Sequence, residues 1–174
     1  MDTRRKAPDG AFFVRQERIR ELSCILLCVN EPQRRHSFGI IPLQKSDAGT
    51  RVLLIQQSRL GATYWGFPKG TPEAGELPID TACRETREEV GCGEIDLIPD
   101  FAHTESYVFT EADGTEVHKQ VTYFAGYLQD EGVVPQQGEV LAAEWLSYDE
   151  ALERLSYQAS RDALRILGSR LGAV

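Results

Sequence analysis

The chain has 174 residues, 41% of them hydrophobic and 26% charged, which is the balance of an ordinary soluble globular protein long enough to bury one sizeable core. A formal net charge of −8 argues against generic affinity for nucleic-acid backbones, so any phosphate-binding cations must be few and deliberately placed. The four cysteines (Cys24, Cys28, Cys83 and Cys92) have no close histidine partner and no Cys-x-x-Cys spacing, which argues against a zinc site and suits a reducing compartment.

Residues 1 to about 20 are rich in Arg and Lys without a clear period, the pattern of a mobile arm or a short helix. Residues 22–29 are apolar, but eight residues cannot span a bilayer, and no small-x-small cleavage site follows them. A cytoplasmic protein is therefore expected. An extra strand over 23–29 and a polar connection over 31–35 complete an N-terminal extension, residues 1–36, ahead of a domain at 37–172.

From Ser37 the pattern sharpens, with apolar runs at 38–43 and 51–56 flanking the turn residues of 45–50 as in a hairpin. Gly66, Pro68 and Gly70 then break the chain into a loop, and Pro78 and Gly91 bracket a helix. Further strands are expected over 95–98, 102–108, 119–128 and 143–146, with Asp113 and Gly114 turning the chain between two of them. Ser147 with Glu150 makes a capping box for a helix carrying Ala151, Leu152 and Leu155, and a second helical stretch over 158–168 aligns Ala163, Leu164 and Leu167. The expected fold class is α/β (α+β), with helices on both faces of a mixed sheet.

The helix at 78–91 carries the chemistry. At about 100° per residue, Glu85, Glu88 and Glu89 share one face while Ile79, Ala82, Cys83, Thr86 and Val90 line another. Clustered like charges cost a helix about 0.2–0.5 kcal/mol per pair, so something should neutralise them. Carboxylate oxygens at a loop-to-helix junction suit a hard divalent cation that shares its shell with water and substrate phosphates.

The spacing of Gly70, Glu76, Arg84, Glu85, Glu88, Glu89, Gly91 and Cys92 resembles the signature of the Nudix hydrolases, which cleave nucleoside diphosphates linked to another group; Thr86 stands where an aliphatic residue is usual. The resemblance implies an α/β/α sandwich with a catalytic loop-helix-loop at 70–92. It also implies Mg²⁺ (or Mn²⁺) held by the Gly70 carbonyl, Glu85, Glu88 and Glu89, with Glu139 from a downstream loop as a further ligand or base. Arg84 would orient an acid of the cluster and Glu76 would position the loop. Glu85, Glu88 and Glu139 all remain candidates for the base.

Tyr64, Trp65, Gly66, Phe67, Pro68, Lys69 and Gly70 directly before the signature, with Arg84, Glu85 and Thr86 inside it, resemble the asymmetric diadenosine tetraphosphate hydrolases over roughly residues 37–170. Lys69 and Lys119 are compact cations suited to a polyphosphate. Tyr107 and Tyr157 either stack on a base or pack, Tyr123 faces either the site or the core, and Trp65 and Trp145 are expected to pack. The leading expectation is hydrolysis of diadenosine tetraphosphate to ATP and AMP by water attack at phosphorus. The alternatives are removal of pyrophosphate from RNA 5′-triphosphates, cleavage of another nucleotide, or a non-catalytic nucleotide-sensing module. The expected partner is a small dinucleotide, with no DNA and no membrane.

Overall fold

The structure is a computed structural model that describes residues 32–47, 49–59, 61–129 and 132–172. The arm over the first 20 residues, the strand expected at 23–29, and Cys24 and Cys28 lie outside the described residues. The strands are β1 (Gln33–Ser46), β2 (Gly49–Arg59), β3 (Ala62–Gly66), β4 (Lys69–Gly70), β5 (Ile95–Leu97), β6 (His103–Thr110), β7 (Glu116–Leu128) and β8 (Val140–Ser147). The helices are α1 (Pro78–Val90), α2 (Tyr148–Arg154) and α3 (Gln158–Leu171).

Alternation along β2 sets the layers. Val52 and Leu54 pack on one face of the sheet with Ile41 and Leu43 of β1, beneath Ala151 and Leu155 at the end of β8 and α2 and Ala163, Leu164 and Leu167 of α3. Leu53 and Ile55 pack on the other face with Val90 and Cys92, where α1 ends, and with Leu128 and Val140. Each such side chain contributes about 1.5–3 kcal/mol by leaving water. Helices thus cover both faces of a mixed sheet, the sandwich expected from the sequence.

The path across the sheet is β3-β2-β1-β7-β5, with β4 on β1, β6 on β7 and β8 on β2. β1 and β7 run parallel, and the other pairs are antiparallel. β1 faces β2 only from Leu43 to Ser46, and lower down it takes up β4 instead, setting Phe38 opposite Gly70 and Gly39 opposite Lys69. This second pairing seats the loop that carries Lys69 and Gly70 against the sheet. Phe67 anchors the same loop, its ring meeting Tyr123 edge-on at 5.3 Å.

The hairpin expected around 45–50 closes on the Ser46 to Gly49 pair, and the Asp113 turn closes with Gly114 N–H donating to the Glu111 carbonyl at 3.0 Å. One expectation fails: 31–35 is not a polar connection, because Gln33, Arg34 and Arg35 form the first rungs of β1 opposite Val117, His118 and Lys119. The parallel ladder of β7 supplies their backbone partners. Arg35 is further held by Glu111, whose two carboxylate oxygens accept from its guanidinium at 2.7 and 3.1 Å. Among the described residues no helix is long and apolar enough to cross a membrane.

The Ser147 capping box is present: its side chain accepts from Glu150 N–H, while the Glu150 carboxylate accepts from Ser147 N–H at 2.9 Å. Ser147→Ala should lower stability by about 1 kcal/mol in chemical denaturation, with the slope of the transition unchanged.

Candidate active site

α1 begins with Pro78, whose missing N–H costs nothing in a first turn, and stops at Gly91, a left-handed residue (φ 67°) whose N–H returns to the Arg87 carbonyl at 2.8 Å. Its buried stripe is Thr81, Ala82, Thr86, Glu89 and Val90. The hydroxyl of Thr86 donates to the Ala82 carbonyl at 2.7 Å, so the residue enters the core without an unmet polar group. Cys83 and Ile79, expected in the core stripe, are only partly buried, whereas Cys92 past the helix end is buried.

Arg84 gathers the acids. Its Nε and Nη2 form a fork on the two carboxylate oxygens of Glu76 at 2.9 and 3.0 Å. Nη1 donates to Glu85 at 3.0 Å and to Glu88 at 3.1 Å, and Nη2 also reaches the Thr71 carbonyl at 3.1 Å. Glu76 accepts from the N–H of Glu73 and the hydroxyl of Thr81, both at 2.9 Å. The Arg84 fork, with those two donors, holds the Glu76 carboxyl down at about 2. Glu76 therefore clips the 71–76 loop to α1, while Arg84 ties three carboxylates to the carbonyl that follows Gly70.

Glu89 is the exception to the expected acid face. At about 100° per residue it lies about 20° from Ala82 and about 40° from Glu85, and this border position turns it inward, leaving it 4% exposed. Its oxygens accept from the Lys69 backbone N–H at 2.9 Å and from Gln57 Nε2 at 2.6 Å. Burial pushes its carboxyl up to about 7, against the Lys69 charge and those two hydrogen bonds. Gln57 in turn accepts from the Tyr64 hydroxyl at 3.0 Å. Nothing in the local pattern singles out Gln57, since a glutamine near the end of a strand reads as a solvated residue.

Glu139 is exposed and sits one residue before Val140, which pairs with Gln57. Its loop is docked on the end of α1 by Val134 and Gln136, whose N–H groups reach the carbonyls of Val90 and Glu89 at 2.9 and 3.0 Å. The loop thereby satisfies carbonyls that the helix end leaves open.

Whether these residues suit a divalent cation can be judged from their packing. A Cβ added at Gly70 would fall 1.9 Å from the Glu85 carboxyl carbon, so only glycine lets the backbone approach this acid so closely. One guanidinium against Glu76, Glu85 and Glu88 leaves two negative charges unmatched, and the donors are all oxygen, the preference of Mg²⁺. Among the described residues no three acidic, histidine or cysteine side chains are already gathered as a ligand set, because Arg84 holds Glu85 and Glu88. Glu88 is half exposed and, among the described residues, is held by Arg84 alone, so it is the acid of the three with room to swing. The residues fit a hard divalent cation.

Lys69 connects the acids to a cavity of about 400 Å³ lined by Tyr64, Tyr107, Tyr123, Tyr157, Glu105 and Ser160, among others. Tyr157 is 55% exposed, with its ring 5.7 Å from that of Tyr64, and Lys69 Nζ stands 5.8 Å from the Tyr64 ring centroid. Tyr123 is 2% exposed and packs in the core, so it forms the floor of the cavity and offers no stacking face. Tyr107 also borders a second, wider groove with Arg34, His36, His118 and Lys119, where Lys119 Nζ donates to the Ser37 hydroxyl at 2.6 Å. The structure thus brings Lys69, Tyr107, Tyr123 and Tyr157 together and sets Lys119 in the adjoining groove. Trp65 and Trp145 pack against the two cores. Glu105, which the sequence reading passed over, lines the first cavity.

The family model described as NUDIX domain matches residues 33–166. The bis(5′-nucleosyl)-tetraphosphatase [asymmetrical] of Mus musculus is 31% identical over 135 residues, covering 76% of this chain and 85% of that protein. The RNA pyrophosphohydrolase of Sulfurovum sp. (strain NBC37-1) is 28% identical over 101 residues, covering 53% of this chain and 64% of that protein. Among solved structures, a C. elegans Ap4A hydrolase binary complex superposes with a TM-score of 0.69 at 25% identity, covering 80% of this chain and 99% of that one.

Glu89 also sets a pH dependence for the protein held in chelator. Its folded pKa, about 7, lies above the ordinary 4.5, so between those values the folded state binds more protons than the unfolded state. The stability this provides is present below about 4.5 and is lost as pH rises through 7, a change of up to roughly 3 kcal/mol. Melting temperatures from pH 5 to 8 should therefore fall more steeply for the native chain than for Glu89→Gln, which cannot ionise.

Proposed function

The chain belongs to the Nudix family of hydrolases, and on that premise we propose that it cleaves dinucleoside polyphosphates, first among them diadenosine tetraphosphate, to ATP and AMP. The observation that carries this reading is Lys69. Its backbone N–H holds Glu89 beside the acid cluster, and its side chain borders the aromatic cavity, so a base in the cavity would place its phosphates toward the carboxylates. Tyr107, shared by the cavity and the groove of Arg34 and Lys119, gives the second half of a dinucleotide a continuous path. The named relatives that act on such tetraphosphates support the same class.

The Gly70 carbonyl, Glu85 and Glu88 would hold Mg²⁺ or Mn²⁺, with Glu89 and Glu139 as the further acids that would complete the set. When bound, the cation supplies charge neutralisation at the phosphates and activation of water. Arg84 keeps Glu85 and Glu88 aligned by charge-assisted bonds, and Gly70 keeps the loop close against Glu85. Lys69 and Lys119 grip the phosphates, and Tyr107 and Tyr157 present faces to the bases. Water forms the new bond to phosphorus, the bond to the leaving polyphosphate breaks, and the proton passes to Glu88 or Glu139, the two exposed acids, or to Glu85. The reading calls for no DNA and no membrane, and for a cytoplasmic setting. The domain is proposed to span 37–172 with 1–36 as its extension, the last residues of which, Gln33 to His36, complete β1.

The similarity to an RNA pyrophosphohydrolase favours one second reading, removal of pyrophosphate from RNA 5′-triphosphates. The net charge of −8 opposes it for long RNA. A nucleotide panel in Mg²⁺ with product identification separates the readings. ATP and AMP from diadenosine tetraphosphate are expected; preferential turnover of triphosphorylated RNA would install the second reading, and binding without any product would make the protein a sensor.

Glu85→Gln should lower kcat at least ~100-fold while the melting temperature stays within a few degrees, since charge is lost with little change in volume. Lys119→Ala should raise KM several-fold with kcat nearly unchanged, the mark of a contact made equally in ground and transition states. Steady-state kinetics on diadenosine tetraphosphate reads both.

A further inference from the structure

The cavity beside Lys69 contains a carboxylate that the hydrolytic chemistry does not use. Glu105 lies on β6 two residues before Tyr107, so strand alternation sets both on the same side. Glu105 lines the cavity with the tyrosines; its Oε2 is shut off from water with no hydrogen-bond partner among the described residues, so a turn of the carboxyl is what would bring it to a ligand. A buried acceptor left unpaired is costly, and native proteins keep one where something else fills it. The cavity around it is lined by four tyrosines, Phe67, Gln158 and Ser160, with Lys69 as the charge that acts on it.

We propose that Glu105 reads the hydrogen-bonding edge of the base seated in this cavity, accepting from N1–H and the N2 amino group of guanine, so that the protein binds guanine dinucleotides more tightly than adenine ones. This rests on the nucleotide-hydrolase reading and specifies its base. Aromatic faces stack on any base, since every base offers a π-face, so the tyrosines alone do not discriminate. An ionised carboxylate only accepts hydrogen bonds. Guanine presents two adjacent donors, one for each carboxylate oxygen, whereas adenine presents one amino group flanked by ring acceptors that face the second oxygen. Burial raises the Glu105 pKa, with the nearby Lys69 charge opposing that rise, and two guanine donors bonded to the carboxylate would further favour its ionised form. Adenine still enters by stacking, with one donor for Glu105, which keeps diadenosine tetraphosphate a substrate.

The test is calorimetric binding of methylene-bridged, non-hydrolysable analogues of diguanosine and diadenosine tetraphosphate to the full chain, Glu105→Gln and Glu105→Leu. The native chain should bind the guanine analogue about tenfold or more tightly than the adenine one, as expected for one additional hydrogen bond to a charged group. Glu105→Gln should bring that ratio to one or invert it, because its amide offers the donor and acceptor that adenine's edge matches. Glu105→Leu should abolish the ratio without unfolding the protein, and the nearly isosteric Gln variant decides the matter if Leu fails to fold. A native preference for adenine, a ratio that survives both substitutions, or no measurable binding of either analogue would overturn the proposal. The ratio decides it whether or not the natural dinucleotides are hydrolysed, and their hydrolysis separately decides the functional reading.

Discussion

The structure turns on Arg84. Three carboxylates within reach of one another on a short helix and its leading loop would repel, and in water they would separate. One guanidinium bonded to Glu76, Glu85 and Glu88 at 2.9 to 3.1 Å, and also to the Thr71 carbonyl, makes them a single unit. The neutralisation is partial. Two negative charges remain, and this residue of charge, set against a glycine that admits no side chain, is the ground on which we assign the site to a divalent cation.

Glu89 performs a different task from its neighbours. It leaves the acid face for the core, where it is bonded to the backbone of Lys69 and to Gln57, which is bonded to Tyr64. A continuous hydrogen-bonded chain thus runs from the end of α1 to the rim of the aromatic cavity. Protonation of Glu89, or its capture by a cation, would loosen or tighten the loop that carries Lys69 and Gly70. The Lys69 backbone and the Tyr64 hydroxyl at the cavity rim are thus joined through one buried carboxyl and Gln57.

Much of this was legible in the sequence because it depends on spacing. The helix after the Gly70 loop and the capping box at Ser147 follow from period and residue type, whereas the roles expected of Lys69, Tyr107 and Tyr157 came from the resemblance to a known family; the split of Leu53 and Leu54 between two cores shows only once both faces of the sheet are covered. What escaped detection depends on neighbours distant in sequence. Gln33, Arg34 and Arg35 look like a loop until β7 lies beside them. Glu89 sits on the border between two helix faces, and only the approach of Gln57 and Lys69 decides which way it turns. Gln57 and Glu105 carry no local pattern, since a polar residue in a half-buried strand reads alike whether it meets water or lines a cavity.

The most direct test of the central claim is Mn²⁺ titration followed by the loss of the free-ion electron paramagnetic resonance signal, with the native chain beside a Glu85→Gln, Glu88→Gln double variant. The account predicts saturable binding to the native chain, tightened by a non-hydrolysable dinucleoside tetraphosphate, and its loss in a double variant that remains folded. Equal Mn²⁺ binding by both proteins would contradict it, because the carboxylates joined by Arg84 would then not be the seat of the cation.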